Sequence, residues 1–405
     1  MIPLERQPLI LAISNSQHLW LDGCFWLLLL LQIPATFILL SRLFPGIRRP
    51  HPPAPQPPTP DLIGTVTVII PTLNEAARIS PCLAGVTRQS YEVREIIIVD
   101  SHSQDETPNL VQQAAHRDPR IRLIQDDPLP TGWVGRPWAL HTGFLASNPE
   151  TDWILGLDAD TVPAPQLAAS LVKTAQSENY DLISLSSRFI LEYPGEIWLQ
   201  PALLMTLIYR FGPPAINTIP ERVMANGQCF LSRRSLLQTL GGYKLAQGSF
   251  CDDVTLARIA AKQGFKVGFL DGCQLLQVRM YQGARETWQE WGRSLDLKDA
   301  SSSAQLWGDL GFLFLVQGVP GFVILYLSLF HHQTVITATL WGLNLGLLLI
   351  RFALSFAIHN SYNLSHSQGK WLFWLSPLAD PLAVLRLLIS AINRPTQWRG
   401  RNYSP

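Results

Sequence analysis

Two carboxylate pairs and a scatter of polar loop residues carry the chemistry open to this chain. The first pair, Asp158 and Asp160, closes the run 153–161, WILGLDADT. Side chains alternate across a strand, so carboxylates two apart leave its end on the same side. Two carboxylates aimed at one point repel unless a cation lies between them. Hard oxygen donors suit Mg²⁺ or Mn²⁺, which in turn bind phosphate oxygens. The pattern fits a divalent ion holding a nucleotide diphosphate. It equally fits an ordinary Asp-x-Asp turn that caps the next helix. The second pair, Asp252 and Asp253, heads a segment in which Val254, Leu256, Ile259 and Ala260 make one apolar helix face. The helix dipole stabilises carboxylates at that end, so capping accounts for this pair as readily as catalysis does.

The elements that must position these groups alternate. Apolar, β-branched runs at 65–70, 95–99, 121–125 and 153–157 predict strands, and 75–89, 105–117 and 137–147 predict helices, the last with Pro137 at its first position. A further helix is expected near 165–178 and a strand near 181–190. Strands alternating with helices imply a largely parallel sheet with its site at the carboxyl ends of the strands. The polar residues fall there. Pro71, Asn74 and Glu75 follow the first strand, Asp100, Ser103 and Asp105 the second, and the Asp158–Asp160 pair the fourth.

The chain has 405 residues, 47% of them hydrophobic and 15% charged, with 13 Trp and a net charge of +1. That balance argues against a nucleic-acid-binding surface and for a membrane protein with a soluble part. Cys24, Cys82, Cys229, Cys251 and Cys273 show no Cys-x-x-Cys spacing and read as reduced packing residues. Residues 19–44 are long enough to span a bilayer, which takes roughly 20 residues, and too long for a signal peptide. Arg42, Arg48 and Arg49 follow, which puts the next segment in the cytoplasm by the positive-inside rule. The expected layout is a transmembrane anchor (1–49), a stiff Pro-rich spacer (50–62), an α/β catalytic domain (63–300) and a membrane domain (301–405). Within the last, 312–330 and 335–358 are strong spans joined by a His331-His332 turn. The segment 371–392, broken by Pro377, Asp380, Pro381 and Arg386, is a weaker third span or a re-entrant piece. The re-entrant arrangement is preferred, because it keeps Arg394, Arg399 and Arg401 inside. The apolar stretch 196–211 reads as an interfacial or acceptor-facing helix, with a plain core helix as the alternative.

Five motifs in this order resemble the family 2 glycosyltransferases. They are IPTLNEA (70–76), IIVDSHSQDET (97–107), LDADT (157–161), NGQCFLSRR (226–234) and CDDVTLA (251–257). The run PLPTGWVGRPWALHTGF (128–144) is similar to a membrane-bound branch that includes carotenoid and hopanoid-associated glycosyltransferases. The resemblance implies a GT-A fold, Rossmann-like with a mostly parallel sheet, and an N- and C-terminal membrane layout. It implies a nucleotide-diphosphate sugar donor and a lipophilic acceptor from the bilayer. Pro71, Asn74, Glu75 and Ser103 would line the nucleotide pocket, Asp100 would bond the base, Asp158 would approach ribose or metal, and Asp160 would ligate the metal. The family usually carries Glu-Asp where this chain has Asp252-Asp253, so Asp253 matches the general base. Asn226, Gly227, Gln228 and Trp291 fall on the acceptor side.

Arg136, in a Gly-rich loop, and Arg293 are candidate cations for the donor diphosphate, or else ordinary surface arginines. Processive relatives carry Gln-x-x-Arg-Trp near Arg293. Here Gln289 and Trp291 are present but Arg follows Trp, which disfavours a polysaccharide synthase. His102 and His141 read as loop and helix-surface groups. Trp133, Trp138, Trp288 and Trp291 fit either an acceptor-facing rim or packing. The expected activity is metal-dependent, inverting transfer of one sugar to a hydroxyl of a carotenoid or other terpenoid. Ceramide, glycerolipid and polyprenyl phosphate are the alternative acceptors, and a silent membrane scaffold is the non-enzymatic one.

Overall fold

The computed structural model describes residues 7–48, 51–214, 219–291, 295, 297–330, 334–393, 397–398 and 401–402. The β-branched runs form β1 (Val66–Thr72), β2 (Val93–Asp100), β3 (Ile121–Gln125) and β4 (Trp153–Leu157). With β6 (Leu182–Ser186), β8 (Cys229–Arg233) and β9 (Val267–Asp271) they make one seven-stranded sheet in the order β3-β2-β1-β4-β8-β6-β9. Only β8 runs against its neighbours in this sheet, so the expected mostly parallel α/β architecture is what forms. Val66, Val68, Ile69 and Ile70 are all fully buried in β1, each stabilising the fold by about 1.5–3 kcal/mol. That outweighs the roughly 1–3 kcal/mol of backbone strain at each loop residue held at positive φ, Asn74 (55°) and His102 (62°).

The helices α2 (Ile79–Val86), α3 (Thr107–Ala115), α4 (Gly135–Ala146) and α5 (Leu167–Ser177) cover the sheet. Three expectations shift. The helix expected at 75–89 is only α2; ahead of it the chain turns through 75–78, where the backbone N–H groups of Glu75 and Ala76 are bonded by Thr107 and Asp105 across the loop. Pro137 sits third in α4, not first. The expected strand 181–190 is two, β6 and β7 (Arg188–Ile190).

A second sheet, β11-β7-β10-β5, joins β5 (Thr161–Pro163), immediately after Asp160, through β10 (Leu276–Val278) and β7 to β11 (Tyr362–Asn363). The 63–300 and 301–405 segments therefore share backbone hydrogen bonds. The helix α6 (Pro194–Phe211) also crosses the expected boundary. Its buried face (Ile197, Leu199, Leu203, Met205, Tyr209) packs in one core with Leu306, Leu313, Leu347 and Leu387. The Pro-rich segment is docked instead of free. Gln56 donates its N–H to Ser170 Oγ at 2.8 Å, and Lys173 and Tyr91 bond the carbonyls of Pro57 and Pro58.

Among the described residues, three helices are long and apolar enough to cross a membrane: Leu21–Ile47, Val335–Ser361 and Lys370–Ile392. The segment expected as a strong span at 312–330 belongs to a bent pair, Ser303–Gly318 and Pro320–Leu329, that turns by 41°. A π-helical turn at Phe314–Gly318 followed by Pro320 accounts for the bend. The segment expected to be weaker qualifies by length and composition, and its charges face protein. Asp380 pairs with Arg351 (Nε–Oδ2 2.7 Å), and Arg386 donates to the Trp288 carbonyl at 2.7 Å. His331, His332, Arg394 and Arg399 lie outside the described residues. All five cysteines are free thiols, three of them buried.

Candidate active site

One cavity of about 340 Å³ opens at the carboxyl ends of the strands. Pro71, Thr72, Glu75 and Ser101 border it at one end. Arg136, Asp158, Asp160, Asp252, Asp253 and the Asn226–Gly227–Gln228 turn form its middle. Phe189, Leu204, Leu207, Met280, Trp291 and Ile358 line the far end. The sheet brings together both carboxylate pairs, which lie almost a hundred residues apart, because β4 delivers Asp158 while α8 (Asp252–Lys262) starts beside the turn that precedes β8.

Arg136 joins the two pairs. Its Nε donates to Asp158 Oδ1 at 2.9 Å, Nη1 donates to Asp252 Oδ2, and Nη2 donates to the Gly227 carbonyl at 2.6 Å. Asp253 accepts the N–H of Gly227 at 2.6 Å and that of Val254 at 2.8 Å. Capping alone therefore does not describe the second pair, since the N-cap position is Cys251. Ile259 is half-buried, whereas Val254, Leu256 and Ala260 are buried as expected. Burial raises both the Asp252 and Asp253 carboxyls above the ordinary carboxylate range, against the pull of Arg136. Burial alone would lower the Arg136 pKa, but Asp158, Asp252 and Asp253 drive it up, so it stays charged. Arg136 is thus held in the first turn of α4 and is not a cation on a flexible loop. Arg293 lies outside the described residues.

The loops after β1 and β2 are locked to each other. The Asn74 N–H donates to Ser103 Oγ at 2.8 Å, and the Gln104 N–H to Asn74 Oδ1 at 2.8 Å. Asp100 is buried behind this loop. It accepts from Thr72 Oγ1 (3.3 Å) and the Ser103 N–H (3.0 Å) and does not border the cavity, in contrast with its expected contact to a base. Glu75 does border it. The turn 226–228 is held by Ser184, whose Oγ accepts the Asn226 N–H at 2.6 Å and donates to its carbonyl at 2.9 Å. Gln228 is tied to Asn226 by Nδ2–H to Oε1 at 2.9 Å.

His141 is not a surface group. It is buried against Trp133 (rings 5.2 Å apart), and Nδ1 accepts the Tyr243 N–H at 3.4 Å. Trp133 and Trp138 pack on each other and do not border the cavity, whereas Trp291 does, tilted on Phe189 at 5.8 Å. Sequence reasoning missed Phe189 and the cavity edge at Leu354, Ala357 and Ile358 on the helix Val335–Ile358. The apolar stretch 196–211 was the available signal for the α6 part of the wall. Nothing in the local pattern marks Ala357. Chemically, the arrangement offers two hard carboxylates at one cavity, a half-buried carboxylate able to take a proton, and an apolar wall beside it.

Residues 67–241 match the model for Glycosyl transferase family 2. A 4,4'-diaponeurosporenoate glycosyltransferase of Staphylococcus haemolyticus is 24% identical over 66% of this chain and 70% of its own. An undecaprenyl-phosphate 4-deoxy-4-formamido-L-arabinose transferase of Proteus mirabilis is 27% identical over 31% of this chain and 38% of its own. A mannosyltransferase of Pyrobaculum calidifontis, solved with GDP-Man and Mn²⁺, superposes with a TM-score of 0.54 at 18% identity, covering 92% of this chain and 99% of that one. The fold is GT-A. The chain carries a family 2 glycosyltransferase domain and is a glycosyltransferase.

Proposed function

We propose that the protein transfers one sugar, with inversion, from a nucleotide-diphosphate sugar to a hydroxyl of a hydrophobic membrane acceptor, a terpenoid such as a carotenoid. One observation carries the reading: a single cavity runs from the aspartate cluster to an apolar wall built partly by a helix suited to a bilayer. Likeness to the staphylococcal diaponeurosporenoate enzyme favours the terpenoid class. Asp158 and Asp160 fit a divalent ion in their donor chemistry, because Mg²⁺ typically takes one or two carboxylates plus substrate phosphates and water. Mg²⁺ or Mn²⁺ bound there would offset the charge of the leaving diphosphate. Pro71 and Glu75 wall the nucleotide end, and Asn74, Asp100 and Ser103, which do not border the cavity, shape that loop through their hydrogen bonds. Asp253 takes the proton of the acceptor hydroxyl as its oxygen bonds to the anomeric carbon. The bond from that carbon to the diphosphate oxygen breaks, and the electron pair leaves with the diphosphate. Asn226, Gly227, Gln228 and Trp291 border the acceptor's approach.

The membrane helices anchor a catalytic domain on the cytoplasmic side, as Arg42, Arg48 and Arg49 favour. A polyprenyl-phosphate acceptor is the second reading, supported by likeness to the undecaprenyl-phosphate transferase. The test is thermal unfolding of the full-length protein in nanodiscs with UDP or GDP, with and without Mn²⁺. Protection by nucleotide only when metal is present is expected, about 2.7 kcal/mol at a hundredfold excess over Kd. Absence of protection by either nucleotide would leave the scaffold reading standing.

A further inference from the structure

The guanidinium of Arg136 binds three acceptors from three separate segments: Asp158 after β4, Asp252 at the start of α8 and the Gly227 carbonyl in the turn before β8. Gly227 in turn gives its own N–H to Asp253 at 2.6 Å. One planar group therefore touches the donor-side aspartate, the neighbour of the proposed base and the turn that holds that base. Three of its five N–H donors are committed to protein atoms, and the side chain is 14% exposed. Position 227 is shaped around it: a Cβ there would stand 2.5 Å from Nη2 and 2.8 Å from Cζ, so only glycine admits the guanidinium without displacement. A fork with fixed donor directions suits three acceptors in different directions. An ammonium, which is a point charge on a flexible stem, does not match that geometry.

We infer that Arg136 is a positioning residue for the transfer step, aligning Asp253 through Gly227 and Asp252, and that it is not the cation that binds the donor diphosphate. The inference rests on Asp253 as the base. It separates two effects that a diphosphate ligand would combine. A ligand of the donor governs donor KM, whereas a residue that orients the base governs kcat, and a misplacement of about 1 Å can cost on the order of 100-fold. Lysine keeps the charge but cannot reach all three acceptors. Alanine at 227 keeps Arg136 and pushes its guanidinium away.

The experiment measures kcat and donor KM for full-length R136K, R136Q and G227A in nanodiscs. Donors are UDP-glucose and GDP-mannose, and the acceptor is total membrane lipid of the host cell. All three variants are expected to lose about 100-fold in kcat at unchanged donor KM. A raised donor KM with kcat intact in R136Q, restored in R136K, would overturn the inference and make Arg136 a diphosphate ligand. If the wild type uses neither donor, the functional reading fails separately, and hydrogen exchange at the Gly227 amide still decides the clamp. Faster exchange in R136K than in wild type supports it, and equal exchange contradicts it.

Discussion

At the residue scale, the site is a compact set of carboxylates, two of which, Asp252 and Asp253, are held where burial resists their ionisation. Asp253 is the group this affects most directly, since a base must be deprotonated to accept the acceptor's proton. Burial raises its pKa, so the rate should fall on acidification with a midpoint above the ordinary carboxylate value of about 4. The sign for stability is opposite. Between the unfolded and folded pKa values the native state holds more protons, so the free protein should become more stable as pH falls through that window. Initial rates and thermal unfolding over one pH series check both. Rate and stability declining together would argue that unfolding, and not titration of the base, sets the acid limb. The residue types were legible in the sequence, because paired aspartates at a strand end and a helix start are few. Their meeting was not. Asp158 and Asp252 are brought to one guanidinium by strand order, and no local pattern encodes that order.

At the element scale, the first four strands matched their expected positions to within a residue or two; burial on both faces leaves β1, β2 and β4 little latitude. Boundaries were less legible where two loops engage each other, as at 75–78, a turn whose N–H groups at 75 and 76 are bonded by Thr107 and Asp105 of the next loop. The helical segment 370–392 was underrated because its charges looked like interruptions. Arg351 bonds Asp380 through Nε (2.7 Å) and Nη2 (3.1 Å), and also Ser355 (2.7 Å) and Ser376 (3.2 Å), all of them buried. Charges read along one segment do not reveal a partner on another helix, although the mean hydropathy of 370–392 suffices for a span. Arg351→Leu strands a buried carboxylate and should destabilise by about 3–5 kcal/mol, while R351L/D380L recovers most of the loss. Thermal unfolding in one detergent measures this. Equal destabilisation in the single and double variants would show that helix packing, and not charge pairing, holds the segment.

At the scale of the whole molecule, the α/β part and the apolar C-terminal helices share one core and one sheet. The strand β11 extends a sheet that begins just after Asp160, and α6 lies in the same apolar core as the C-terminal helices while its Leu204 and Leu207 face the site. The 63–300 boundary drawn from composition missed this, because composition changes at 301 but contacts do not. The continuity gives a physical reason for a lipophilic acceptor. The wall that contacts it belongs to the same core as the helices suited to a bilayer, and at Ala357 the cavity reaches an exposed face of the helix Val335–Ile358. The most direct test of that claim is comparative lipid and pigment profiling by mass spectrometry. It compares cells carrying the wild-type protein, cells lacking it, and cells carrying Asp253→Asn. The account predicts that a glycosylated terpenoid disappears equally in the last two while its aglycone accumulates, with the mass difference giving the sugar class. Unchanged lipids with loss of a surface polysaccharide would contradict the acceptor, and wild-type behaviour of Asp253→Asn would contradict the base.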